Sequence, residues 1–265
     1  MFRLQINSVF FLVFKKFTIL RVLERLNIEV PKFCYHERLN IAGNCRMCII
    51  EIEKILKPVI SCATDIYDGL VVWTDSPFVK KSRESVLEFL LLNHPLDCPI
   101  CDQGGECDLQ EQSLRYGSDF NRAVNYKKRA VEDKKFGPLV KTIMTRCIHC
   151  TRCVRFNEEV TLEYSLGTLG RGKSTEIGFY LTNILNSELS GNVVDLCPVG
   201  ALTSSVHAIN FRKWELVSYV QPDVSSNYLV KVNVSFLKNT VKNDQSLSKF
   251  LDSEDNNLLR ILPAS

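Results

Sequence analysis

Asn93-His94-Pro95-Leu96-Asp97-Cys98-Pro99-Ile100-Cys101-Asp102-Gln103-Gly104-Gly105-Glu106-Cys107 places one imidazole and three thiols within fourteen residues. Pro and Gly separate them, so neither a helical nor a strand period organises the stretch. Four soft or borderline ligands on such a loop read as the cradle of a metal cluster. The His in first position is unusual, because a four-iron cluster is ordinarily held by four thiolates. The rest of the chain must decide whether His94 is a ligand or a core histidine beside three unrelated cysteines.

Composition sets the frame. Of 265 residues, 45% are hydrophobic and 24% charged, as in an ordinary globular protein of one or two domains. The formal net charge of +3, without a basic stripe, gives no footprint for nucleic acid. The longest apolar runs, residues 9–14 and 89–92, fall far short of the roughly 18 residues a membrane helix needs. The 11 cysteines are an odd count in a chain too long to need a disulfide framework. Four Cys-x2-Cys pairs (Cys45/Cys48, Cys98/Cys101, Cys147/Cys150, Cys150/Cys153) point instead to metal ligation in a reducing compartment. Structural zinc is the competing reading of such pairs.

Upstream lie Cys34, Cys45, Cys48 and Cys62, centred on Ile41-Ala42-Gly43-Asn44-Cys45-Arg46-Met47-Cys48. Two-iron ferredoxins of the plant type use a tight Cys-x4-Cys-x2-Cys loop and a distant fourth Cys. Here the first gap is longer and the logic is the same. Gly43 permits a turn, and loop amides can donate to thiolates. Residues 4–14 read as two short strands, followed by a helix over 18–26 with Thr18 as N-cap and Ile19, Leu23 and Leu26 on one face. Residues 49–53, 59–62 and 70–74 read as further strands. Residues 1–75 are thus expected to form a β-grasp ferredoxin-like domain. The basic, Phe-rich start raises a transit peptide, but the strands leave little room for one, so the chain is expected to begin where this domain begins.

Ser76-Pro77 opens a helix running to about residue 92, with Val79, Ser82, Val86, Phe89 and Leu90 as its buried stripe. It delivers the chain to His94. A short helix is expected over 108–116, and the charge-alternating stretch 127–135 reads as a solvated connection. Then comes Cys147-Ile148-His149-Cys150-Thr151-Arg152-Cys153, the first part of the bacterial four-iron run, whose last Cys precedes a Pro. Cys197-Pro198 supplies that last thiol after an insertion of about residues 157–195. Three thiols so closely spaced favour a cubane corner over tetrahedral zinc.

The count closes. Cys34, Cys45, Cys48 and Cys62, then His94, Cys98, Cys101 and Cys107, then Cys147, Cys150, Cys153 and Cys197 make twelve ligands, using every cysteine once and one His. His149 is not needed and reads as a local hydrogen bonder or surface residue. Arg46, Arg146, Arg152 and Arg155 either offset cluster charge or sit at the surface. Residues 205–265 lack cysteine and show apolar alternations at 214–219, 228–234 and 258–262, the pattern of a small β-unit.

The quoted stretches, together with Phe33-Cys34-Tyr35-His36-Glu37-Arg38-Leu39, Lys128-Arg129-Ala130-Val131-Glu132-Asp133-Lys134, Glu188-Leu189-Ser190-Gly191-Asn192 and Cys197-Pro198-Val199-Gly200-Ala201-Leu202-Thr203, closely resemble the large iron–sulfur subunit of respiratory complex I. This is the 75-kDa type of mitochondria and the G type of bacteria, and the match runs from about residue 3 to Trp214. The resemblance implies an α+β fold. A two-iron β-grasp ferredoxin-like domain (1–75) comes first. A helical four-iron domain held by one His and three cysteines (76–135) follows, and then a ferredoxin-like four-iron domain held by four cysteines (136–210). A small β-unit (211–265) ends the chain, where the molybdopterin-oxidoreductase-like region of longer family members would begin.

It also implies one 2Fe-2S cluster on the first set of ligands and one 4Fe-4S cluster on each of the other two. A further cluster known in some bacterial relatives is not expected, since no cysteine is left over. The implied function is one-electron relay in NADH:ubiquinone oxidoreductase, with no complete active site in the isolated chain. Implied partners are the FMN/NADH-binding flavoprotein subunit, other peripheral-arm and quinone-module subunits, and a separately encoded C-terminal domain. The implied place is the matrix side of the mitochondrial inner membrane, or the cytoplasmic side in a bacterium. The rival readings are the iron–sulfur diaphorase subunit of a NAD-linked hydrogenase and a zinc-binding scaffold.

Overall fold

The computed structural model of the chain describes residues 1–122, 128–180, 184–185, 187–205, 212–222, 231–237 and 260–263. Strands β1 (Phe2–Ile6) and β2 (Val9–Val13) form the expected hairpin. Ile6 faces Val9 across a two-residue turn in which Asn7 and Ser8 both take positive φ, the turn that matches strand twist. With β3 (Ile49–Ile52), β4 (Val59–Ile60) and β5 (Leu70–Trp73) they build one mixed sheet of order β2-β1-β5-β3-β4. Alternation buries Leu4, Ile6, Ile50, Ile52, Leu70 and Val72 on one face, against Ile19, Leu20, Val22 and Leu23 of α1 (Ile19–Arg25). A sheet closed over one helix is the arrangement expected of the first ferredoxin-like unit.

Thr18 stands at the N-cap position of α1, but its hydroxyl caps nothing and has no partner. The loop around Cys62 does the capping instead. Ile19 N–H donates to Thr64 O at 2.8 Å and Leu20 N–H to Ser61 O at 3.0 Å. The helix start is therefore tied directly to a proposed ligand loop.

Helix α2 (Pro77–Asn93) begins as expected, with Pro77 in its first turn and Ser76 Oγ accepting from Val79 N–H at 3.2 Å. Its expected stripe requires correction. The fully buried residues are Val79, Arg83 and Leu87, while Val86 and Leu90 are only partly buried and Phe89 is 68% exposed. Arg83 misleads a hydrophobicity reading. Its guanidinium turns inward, donates to Ile49 O at 2.8 Å and stands 5.5 Å from the centre of the Tyr116 ring, which rotates the helix about its axis. Tyr116 ends α3 (Asp108–Tyr116), which forms where expected.

The stretch 127–135 is largely the expected solvated connection over its described residues 128–135, with Lys128, Glu132, Asp133 and Lys135 exposed, and it departs from expectation at Arg129. Arg129 is buried, Lys128 Nζ donates to His94 O at 2.6 Å, and Asp133 Oδ1 accepts from Met144 N–H at 2.8 Å. A buried guanidinium such as that of Arg129 is tolerated because backbone carbonyls can satisfy it inside.

Beyond it, β6 (Val140–Thr142) pairs with β9 (Leu202–Ser204) in the register Thr142↔Leu202. That pairing, extended by Ile143 N–H to Ala201 O at 2.8 Å, returns Cys197 to the Cys147 loop. Between them come α4 (Arg152–Glu159), the hairpin β7 (Leu166–Leu169) and β8 (Glu176–Phe179), and α5 (Asn192–Leu196). Phe136 and Phe179 meet edge to face, centroids 5.2 Å apart, in the core beneath them. The expected C-terminal β-unit is present as an antiparallel sheet of β10 (Leu216–Pro222), β11 (Lys231–Leu237) and β12 (Arg260–Pro263). Residues 228–230 and 258–259 of the expected alternations lie outside the described residues.

Candidate metal centres

Cys34, Cys45, Cys48 and Cys62 are all buried. Cys34 contacts Cys45 and Cys62, and Cys62 contacts Cys48, so the four thiols form one continuous group. Hydrogen bonds from Cys45 and Cys62 hold the Cys34 thiol well below its ordinary pKa. The same bond to Cys34, reinforced by burial, pushes Cys45 up. Four anionic sulfurs this close repel one another, and the set can ionise together only around positive charge. Left-handed residues bend the loop. Gly43 lies at φ +63°, where a Cβ would come within 2.9 Å of Ile60 Cδ1, and Arg46, itself exposed, lies at φ +57°. Between them the successive backbone amides of Asn44 and Cys45 hydrogen-bond the Cys34 thiol, as in an anion-binding nest.

His94 terminates α2 in an extended conformation, Cys98 opens a short 3₁₀ turn, Cys101 ends that turn, and Cys107 precedes α3. All four line one cavity of about 130 Å³, together with Arg146 and Gly200. That is well beyond the ~10–15 Å³ a single water requires. Burial, then the charges of Lys128 and Arg146, push the His94 pKa down to about 4, so its ring is neutral at pH 7, the form that ligates metal. Its Nδ1 is buried without a hydrogen-bond partner. An orphaned imidazole nitrogen beside three thiols fits a metal ligand better than a satisfied core histidine. Burial pushes Cys107 up to about 11.

The third set comes together through the β6–β9 pairing. Burial pushes Cys147 and Cys150 up to about 12, Cys197 to about 11, and Cys153 well above its ordinary value, and mutual repulsion among the four adds to this. His149 (φ +54°) and Thr151 (φ +59°) flank Cys150 in left-handed conformations. His149 N–H donates to Cys147 Sγ at 3.4 Å. Among the described residues, no three His, Cys, Asp or Glu side chains close on a point as a single ion would require. Multi-iron clusters spread their ligands over several irons.

Arg146, Arg152 and Arg155 are buried, which settles the choice between surface and interior for three of the four arginines. Arg155 Nη2 donates to Cys34 O at 2.5 Å and Cys150 O at 3.3 Å, joining the first and third loops. Arg152 joins them again through Tyr35 O at 2.9 Å and Leu196 O at 3.2 Å. Asn44 Nδ2 donates to His149 O at 3.0 Å. His149 is a hydrogen bonder after all, with Arg129 Nη1 2.6 Å from its Nε2 while Arg129 Nη2 donates to Cys147 O at 2.9 Å.

Three contributors escaped the sequence. Arg212 donates to Cys101 O and Pro99 O, both at 2.6 Å, and to Gly104 O at 3.1 Å. The ring of Trp214 lies where a Cβ on Gly105 would be, 2.6 Å from that position. Gly200 leaves room for Cys101, whose Sγ any Cβ there would strike. The Gly104-Gly105 pair was the available sign that something packs onto that backbone.

Three family models match stretches that contain these three groups. Residues 1–77 match a 2Fe-2S iron-sulfur cluster binding domain, and residues 83–122 an NADH-ubiquinone oxidoreductase-G iron-sulfur binding region. Residues 137–203 match the ferredoxin-like domain of NADH-quinone oxidoreductase subunit 3. The chain is 64% identical over 208 residues to the NADH-ubiquinone oxidoreductase 75 kDa subunit of Reclinomonas americana, covering 78% of this chain and 30% of that protein. It is 58% identical over 211 residues to the mitochondrial NADH dehydrogenase (ubiquinone) iron-sulfur protein 1 of Solanum tuberosum, covering 80% and 28%. It is 58% identical over 188 residues to the G-type subunit of the NADH-quinone oxidoreductase of Rickettsia felis, covering 71% and 28%.

The chain thus spans less than a third of the length of these relatives. A chain of the NAD+-reducing NiFe hydrogenase in its H2-reduced state has a similar fold, with TM-score 0.69, 23% identity, and coverage of 79% of this chain and 90% of that one. Identities of 58–64% over the same span that the iron–sulfur families tile place this chain in the family of the large iron–sulfur subunit of NADH:ubiquinone oxidoreductase, of which it carries the N-terminal iron–sulfur part.

Proposed function

We propose that the chain relays single electrons within NADH:ubiquinone oxidoreductase, from the NADH/FMN side toward quinone. The observation that carries this is a shared core. Cys34, Cys45, Cys107, Cys147, Cys150 and Cys197, drawn from all three sets, pack in one apolar cluster with Phe33, Met47 and Leu87. Three centres sharing one water-excluding interior suit a relay better than three independent structural metals do.

The proposed ligands are those of the count: Cys34, Cys45, Cys48 and Cys62 for a 2Fe-2S cluster, His94, Cys98, Cys101 and Cys107 for a 4Fe-4S cluster, and Cys147, Cys150, Cys153 and Cys197 for another. The first and third sets are joined by Arg155, and we place both on the main path with the His94 centre beside it. When bound, the clusters supply one-electron chemistry, and the protein supplies position, insulation and potential. The chain's thiols bind, its inward amides and buried arginines hold anionic charge, and its apolar core excludes water.

The proposed modules are 1–75, 76–135 and 136–210, followed by the β-unit. Partners would be the flavoprotein and the neighbouring peripheral-arm and quinone-module subunits. No described helix is long and apolar enough to cross a membrane. The proposed place, at the matrix or cytoplasmic face, is that of the assembly to which those partners belong.

The hydrogenase reading keeps one observation, the shared fold, and its 23% identity stands against 58–64% for the respiratory relatives. Iron and acid-labile sulfide analysis of the anaerobically prepared chain tests the proposal, with about ten irons expected per chain from one two-iron and two four-iron centres. A zinc-loaded, EPR-silent protein would sink it. His94→Ala should alter the spectrum of one four-iron centre alone, and an unchanged spectrum removes His94 from the ligand set.

A further inference from the structure

We infer that Arg146, although its neighbour in the chain is Cys147, serves the His94 centre, donating from its guanidinium to the cluster held there. The inference rests on the ligand reading above and adds a residue to it. Arg146 is 3% exposed and lines the same cavity as His94, Cys98, Cys101 and Cys107. Its Nε donates to Asp97 Oδ2 at 3.1 Å, which fixes the plane of the fork. Its Nη1 is buried and has no partner.

Arg83, Arg129 and Arg152 are buried too, and each has an unpartnered nitrogen, but in all three it is Nε. Only in Arg146, among the described residues, is the unpartnered atom at the far end of the fork. A charged N–H without an acceptor is costly in an interior, so the geometry implies an anionic acceptor in the cavity. Thiolates and sulfides of a bound cluster are such acceptors. The backbone keeps the side chain aimed, because Arg146 closes a 3₁₀ turn (Met144–Arg146) pinned by Met144 N–H to Asp133 Oδ1 at 2.8 Å and Arg146 N–H to Ile143 O at 3.0 Å.

The test uses the full chain, reconstituted anaerobically with iron and sulfide, in wild-type, R146Q, R146K and D97N forms. EPR spectra and midpoint potentials are read for each centre. Removing a cation disfavours the more anionic reduced state, so R146Q should lower the potential of the His94 centre and change its spectrum, moving the Cys147 centre less. R146K keeps the charge and should restore most of the potential but not the spectrum. D97N removes the anion that offsets Arg146 and should shift the same potential upward.

A larger shift at the Cys147 centre than at the His94 centre, or no shift at the His94 centre in R146Q and D97N, overturns the inference. If R146Q fails to hold its cluster, the sign of the D97N shift decides alone. A wild-type chain with no His94-dependent signal defeats the ligand reading itself, and this inference with it.

Discussion

The Cys34 group and the His94 group differ in where their walls come from. The first is closed by its own unit on the side of Cys48 and Cys62, while Cys34 and Cys45 face the core shared with the other groups. Cys48 and Cys62 lie in the core of the five-stranded sheet and α1, and Ser61 ties their loops by donating from N and Oγ to Cys48 O, each at 2.9 Å. The second group brings its proposed ligands on one irregular loop, walled in part by Leu91, Leu109, Gln110 and Ser113 of the flanking helices, and borrows the rest of its surroundings. Lys128, Arg146, Gly200, Arg212 and Trp214 come from later in the chain, and Cys98 stays exposed, flanked by Leu96 and Ile100 at 87% and 65% exposure. Ligands can be local in sequence while insulation is not, so a centre with borrowed walls depends on the packing of several modules.

The largest consequence concerns attack from solvent. Under controlled oxidation or chelation, iron equal to one four-iron centre, about four per chain, should leave before the two-iron absorbance declines. Simultaneous loss would erase the distinction between the two sites. Next comes the support beneath the second group. Leu87→Ala removes a fully buried side chain from the shared core and should cost about 2–5 kcal/mol in denaturant unfolding of the apo chain.

Gly200→Ala sharpens the comparison further. Its new methyl meets Cys101, so we expect about 1–3 kcal/mol of destabilisation with selective loss of the His94 centre and an intact two-iron spectrum. The smallest effect belongs to Phe89→Ser, on the outward face of α2, which should stay within about 0.5 kcal/mol of wild type. A large loss there would restore the buried stripe that the sequence suggested.

The failures of sequence reading share a cause. Phe89 looked buried and is exposed, while Arg83, outside the expected stripe, is buried, because Ile49 O and Tyr116 supply partners that periodicity cannot register. Thr18 occupies the N-cap position, yet Thr64 O and Ser61 O satisfy the helix start. Arg129 looked solvated and instead is buried and reaches Cys147 O, while Lys128 stays exposed and still donates to His94 O. In each case a polar group was satisfied by backbone distant in sequence.

By itself the sequence determined the hairpin at the start, the strands around the Cys45 loop, the helix from Pro77 and the helix over Asp108–Tyr116, and it proposed the grouping of thiols and one imidazole into three sets. Alternation, proline and glycine positions and ligand spacing are local, so they survive without the fold. Only the tertiary structure decided that cysteines of all three proposed sets share one core, that Arg155 joins the first and third loops, and that Arg146 lines the His94 cavity. Those outcomes depend on which distant carbonyls and cavities a guanidinium finds when the chain closes, and burial makes each of them costly to undo.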